Sequence, residues 1–108
     1  MAALDLVVVL YVWPGQEAAF TRYESIAAAV MREHHGAIER ALRCAEAGQA
    51  EAKPYEIHWL RFRSQQDFDD YRADERFAEL SSLRATAICR TELWIGQEIS
   101  VPSGSGVH

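Results

Sequence analysis

From Leu6 to Trp13 every position is apolar, and half of them are β-branched. Alternation would bury one face of a strand, whereas continuity buries two, so this stretch is expected to be a central strand. Pro14-Gly15 stops it. From Gln16 to His35 the spacing changes to helical. Ala19, Tyr23, Ile26 and Val30 form a stripe, widened by Phe20, Ala27 and Met31, and Gly36 stands where a left-handed helix end would fall. Residues 37–53 read two ways. Their Ala/Glu content and the Glu39–Arg43 spacing favour helix, while Ile38, Arg40, Leu42 and Cys44 alternate with Ala37, Glu39, Ala41 and Arg43 as in a charged edge strand. Residues 55–62 are aromatic and branched, hence a strand. Ser64-Gln-Gln-Asp67 has the form of a capping box and opens a helix carrying Phe68 and Tyr71. Asp74 can cap a further helical segment with Phe77, Leu80 and Arg84 on one side. In the last strand Cys89, Thr91, Leu93 and Ile95 alternate with Arg90, Glu92 and Trp94, which predicts half burial.

Taking 37–44 as a strand gives β-α-β-β-α-β, an α+β ferredoxin-like unit with a four-stranded antiparallel sheet. That topology puts the first and third strands in the middle, and these two are the most apolar. Agreement between levels outweighs the local helix propensity. Residues 1–99 are expected to form one domain and 100–108, with its Gly-Ser-Gly, a flexible tail. Two helices cover only one side of the sheet, yet the first strand is apolar on both. A second copy packed face to face, a homodimer, is the simplest cover.

Composition narrows the function classes. A net charge of −5 argues against nucleic acid as partner. Ten of the 11 basic residues are arginines, read mainly as solvated surface. Cys44 and Cys89 have neither disulfide-framework nor zinc spacing and are expected to be buried. The 6–13 run is too short to span a membrane and lacks the flanks of a signal peptide, so the expected location is cytoplasmic. There is no glycine-rich phosphate loop, nucleophile elbow or metal-spaced ligand set, and neither metal nor cofactor is expected.

Phe20 and Tyr23, His35-Gly36, Arg61-Phe62-Arg63-Ser64, Phe68, Tyr71, Asp74-Glu75-Arg76-Phe77, Leu80 and Leu83-Arg84 together resemble the dimeric α/β-barrel superfamily. The likeness runs over about residues 6–97, and in particular resembles small bacterial domains of unknown function whose strand ends in Phe-x-Ser before the second helix. Ala37 stands where that pattern often has a second glycine, Phe77 where it often has Tyr, and a glycine pair late in the second strand is missing. The resemblance implies a dimeric α/β barrel. Proteins of that superfamily include cofactor-independent monooxygenases, polyketide cyclases, haem enzymes and proteins without known activity, so function must come from the site.

His58 sits mid-strand among apolar residues and needs a hydrogen-bond partner if buried, with Glu56 and Tyr23 as candidates. It is either a satisfied core histidine or a general base lining a pocket. Alternation places Glu56, His58, Leu60 and Phe62 toward the helices and Tyr55, Ile57, Trp59 and Arg61 toward the partner. His34 and His35 close the first helix, where the helix dipole favours an imidazolium, and His35 is also a candidate ligand contact. Two functions stay open. One is a non-catalytic homodimer that binds a small ligand or scaffolds a pathway. The other is a cofactor-independent monooxygenase, cyclase or isomerase acting on a small aromatic or apolar molecule. In the second, His58 moves the proton, Tyr23 orients or donates, and Trp59 or Phe62 walls the pocket.

Overall fold

A computed structural model describes residues 2–45 and 53–102. The expectations for 46–52, and for most of the tail including His108, fall outside the described residues. The elements are β1 (Leu4–Val12), α1 (Glu17–Glu33), β2 (Gly36–Arg43), β3 (Glu56–Phe62), α2 (Gln65–Arg72), α3 (Arg76–Glu79), α4 (Ser81–Ala87) and β4 (Ile88–Gly96). The four strands pair antiparallel in the order β2-β3-β1-β4, so the two apolar strands are central and the arrangement is ferredoxin-like. The segment after the first helix is therefore a strand. Its pairing with β3 overrides its helix propensity. None of the described helices is long and apolar enough to cross a membrane.

Side-chain alternation divides the sheet into two faces. Leu6 and Leu10 of β1, with Leu60 and Phe62 of β3, are buried under the helices. Val7 pairs with Trp59 and Trp94, and Val9 with Ile57 and Glu92, on the opposite, helix-free face. There Trp94 is 66% exposed.

The second helical region is broken into three. Ser64 caps α2 by accepting a hydrogen bond from the Asp67 amide at 3.1 Å, while the Asp67 carboxylate is held by Arg63 at 2.8 Å. After Arg72 the chain turns, and the Asp74 carboxylate accepts from the Arg76 amide at 3.0 Å as α3 starts. Asp74 also meets His34 Nε2 at 2.9 Å, and Arg76 reaches Glu33 at 2.9 Å. This cluster fastens the end of α1 to the start of α3.

Four local expectations are corrected. The buried stripe of α1 is Phe20, Tyr23, Ala27, Val30 and Met31, and Ile26 is exposed. The helix is thus rolled toward the Phe20–Ala27–Met31 side, which brings Glu24 to the edge of the buried face. The left-handed residue at the end of α1 is His35, with φ 60°, and Gly36 begins β2. Glycine is required at 36 for space, because a Cβ there would lie 2.3 Å from the Phe62 ring.

In β2 a bulge shifts the register between Ile38 and Arg40. Ile38 faces the helices opposite Leu60, whereas Leu42 is opposite Ile57 on the other face and 47% exposed. A second irregularity, at Tyr11/Val12, skips Cys89 in the β1–β4 pairing. Cys89 is exposed and Cys44 half-buried, so neither is the core residue expected.

Candidate functional site

A cavity of about 500 Å³ opens between the sheet and the helices. Its floor is β3 and β1, with His58, Leu60, Val8 and Leu10. α1 supplies Tyr23, Glu24, Ala27 and Met31 to one wall, and α2, α3 and α4 close the other with Phe68, Tyr71, Phe77 and Ala85. The break between α2 and α3 lets aromatic side chains from two short segments converge. Tyr71 and Phe77 pack edge to face with centroids 5.0 Å apart. Most of the lining is apolar, with a few convergent polar groups, as small-molecule sites are built.

The polar groups meet at His58, which is 5% exposed. Its Nε2 lies 2.7 Å from Glu56 Oε1, and its Nδ1 lies 3.7 Å from Glu24 Oε2. The i, i+2 spacing of Glu56 and His58 on one strand puts both on the same face, as alternation requires. Glu56 is held on its far side by Arg43 Nε at 3.0 Å. The β2 bulge is what makes this possible. Without it Arg40, not Ala41, would stand opposite His58, and Leu42, not Arg43, opposite Glu56. Instead Arg40 lies over the Trp59 ring on the other face, 5.0 Å from its centroid. A second, shallower groove of about 320 Å³ between α1 and β2 is lined by Arg43, Glu56, Glu24 and His58. His58 and its two carboxylates therefore separate the cavity from that groove.

Burial pushes the Glu24 carboxyl above its usual range. The charge of His58 pulls it back, and Glu56 reinforces the rise. Burial also raises Tyr23 and, more strongly, Tyr71, so both phenols stay protonated. Among the described residues every buried side-chain nitrogen and oxygen has a hydrogen-bond partner. No group of three His, Cys, Asp or Glu side chains among them is arranged to hold a metal ion.

Of the residues singled out in the sequence, His58 and Tyr23 line the cavity together. Phe62 is fully buried in the core beside Phe68 and Tyr71, under the helices but behind the lining. Trp59 is on the opposite face, paired with Val7. His35 is exposed at the end of α1, where its carbonyl accepts from the Arg63 amide at 3.1 Å. Tyr23 is not the hydrogen-bond partner of His58; Glu56 is. Sequence reading missed Glu24. Its signal was a carboxylate inside the spacing 20-24-27-31, on the helix line that carries Phe20, Ala27 and Met31. It also missed Arg72 and Arg84, which line the same cavity from α2 and α4.

No protein-family model and no curated protein matches the sequence. Solved structures do match. A protein of unknown function from Rhodopseudomonas palustris has a TM-score of 0.76 at 12% identity, over 92% of this chain and 84% of that one. SnoaB, a cofactor-independent oxygenase from Streptomyces nogalater, has a TM-score of 0.67 at 15% identity, over 94% and 97%. A protein from Nitrosomonas europaea, provisionally assigned as an antibiotic biosynthesis monooxygenase, has a TM-score of 0.69 at 11% identity, over 90% of each chain. At these identities the likeness is one of fold, and that fold is the ferredoxin-like α+β one that the resemblance to the dimeric α/β-barrel superfamily implied.

Proposed function

We propose that this chain is a homodimeric, cofactor-independent enzyme that removes a proton from a small aromatic molecule bound in the cavity above His58. The observation that carries this reading is Glu24 beside His58, itself bonded to Glu56, in the lining of a largely apolar cavity of about 500 Å³. A carboxyl raised by burial is a better base than a free one once ionised, because its pKa moves toward neutrality. Ionised Glu24 takes the proton, and the imidazole beside it, bonded to Glu56, stabilises the charge. Tyr23 and Tyr71 donate to the oxygen of the enolate or phenolate that forms. Proton removal is the first step shared by oxygenation, cyclisation and isomerisation of activated aromatic compounds. That SnoaB is described as a cofactor-independent oxygenase supports this kind of chemistry on the fold. The apolar face of Val7, Val9, Ile57, Trp59 and Trp94 supports the dimer.

A non-catalytic ligand binder is the second reading. It is favoured by one observation: the His58 cluster is complete without a ligand, since both ring nitrogens face carboxylates of the protein. Deuterium exchange separates the two. The enzyme reading expects aromatic carbon acids such as β-tetralone to exchange their acidic protons with D2O faster with protein than in buffer, followed by proton NMR. Binding without accelerated exchange across a panel of such compounds would favour the second reading.

A further inference from the structure

We propose that the cavity takes an anionic aromatic ligand, whose carboxylate or comparable group lies between Arg72 and Arg84 at the mouth while its acidic end faces Glu24 and His58. This rests on the reading of the cavity as a ligand site and names the class of ligand.

The arginines of this chain are used in two ways. Arg43, Arg61, Arg63, Arg76 and Arg90 each hold a carboxylate, from Glu56, Asp5, Asp67, Asp74 and Glu92 in turn. Among the described residues Arg22, Arg32, Arg40, Arg72 and Arg84 form no such pair, and of these Arg72 and Arg84 line the cavity. They are nonetheless oriented. Arg84 Nη2 donates to Thr91 Oγ1 at 3.0 Å, tying the guanidinium on α4 to β4 at the cavity wall. Arg72 lies over the Phe68 ring, its Cζ 5.2 Å from the centroid. Neither contact neutralises a charge, and each leaves guanidinium N–H donors unused.

Depth then orders the cavity. His58 is buried at the floor with half-buried Glu24 beside it, most of the lining is apolar, and the exposed residues Arg72 and Arg84 line the same cavity. The charge of Arg84 acts on both Glu24 and Tyr23 across the cavity. In a chain of net charge −5, two oriented cations at one opening provide a local attraction for an anion. A planar guanidinium suits a carboxylate in particular, since two parallel N–H donors can meet its two oxygens.

Naphthoate and naphthamide test this, because they share an aromatic body and differ in charge. Their dissociation constants are measured by isothermal titration calorimetry at low salt. Naphthoate is expected to bind about tenfold more tightly. Arg72→Gln and Arg84→Gln are expected each to narrow that preference, and the double variant to abolish it, naphthoate losing more affinity than naphthamide. Both positions are exposed, so the variants should retain the wild-type circular dichroism. Equal binding of the two compounds, or a preference that survives in the double variant, overturns the inference and leaves the cavity reading standing. Binding of neither overturns the cavity reading and the inference with it.

Discussion

Glu24 and His58 belong to different elements, α1 and β3, yet Glu24 Oε2 stands 3.7 Å from His58 Nδ1 at the floor of the cavity. The pairing depends on two departures from regular structure. The roll of α1 brings Glu24 inward, and the bulge in β2 keeps Arg40 from the position opposite His58.

The raised pKa of Glu24 has a stability consequence whose sign is fixed. Its folded-state pKa lies above the reference value of 4.5, so the native state holds that proton more tightly than the unfolded chain does. The group therefore costs nothing below pH 4.5 and reduces stability as pH rises from there through its folded value. Glu24→Gln mimics the protonated form. Its melting temperature should exceed that of the wild type at neutral pH, and the difference should vanish toward pH 4, as measured by circular dichroism across a pH series. A melting temperature below the wild type at neutral pH would contradict the account of Glu24.

Asp74 titrates in the opposite sense. Hydrogen bonds from Arg76 and His34 hold its carboxyl well below the usual carboxylate range. Its contribution is present above the reference value of 3.8 and lost as pH falls below it. Asp74→Asn should lower the melting temperature at neutral pH and flatten the loss of stability in acid. An unchanged acid limb would mean that this cluster does not fasten α1 to α3.

Gly36→Ala should destabilise by about 1–3 kcal/mol, because the added methyl meets a fully buried ring that cannot swing into solvent. Urea denaturation measures it. Combined with Phe62→Leu, the penalty of the alanine should shrink, which a double-mutant cycle detects as coupling. Additive costs would show that the close approach of Gly36 to Phe62 is not the reason for the glycine.

Much of this arrangement could be read from residue patterns alone. Continuous apolarity identified β1 as central, and strict alternation in β3 placed Glu56, His58, Leu60 and Phe62 under the helices. β2 was legible only through topology, since its own composition leans toward helix and its strand state comes from pairing with β3. What stayed hidden has a common cause. A helical stripe fixes a face to within one residue on either side, about 100° of rotation, and Ile26 and Glu24 fall on the two sides of that uncertainty. Bulges at Glu39 and Cys89 leave no local mark in the sequence, yet each inverts the facing of the residues near it. The mouth of the cavity was illegible for a third reason. Arg72 and Arg84 are separated by the turns around α3, and only the breaking of the second helix brings them to one opening.

The helix-free face gives a test of assembly. Trp94 is opposite Val7 on the helix-free face and is 66% exposed in the single chain. Light scattering after size exclusion should give the wild type twice the chain mass and Trp94→Glu a single chain mass, with the fold intact. A wild type that elutes as a stable monomer at micromolar concentration would contradict the dimer.

Movement of a proton between the Glu24–His58 pair and a bound molecule is measured directly by carbon-acid exchange. The rate of β-tetralone deuteration is followed by NMR against pH for wild type, Glu24→Gln and His58→Gln, with circular dichroism showing all three folded. The wild-type rate should rise with pH as Glu24 ionises, Glu24→Gln should lose both the rate and that pH dependence, and His58→Gln should fall by about 10²-fold or more. Full exchange activity in both variants, with unchanged pH dependence, would contradict the assignment of this cavity as an active site.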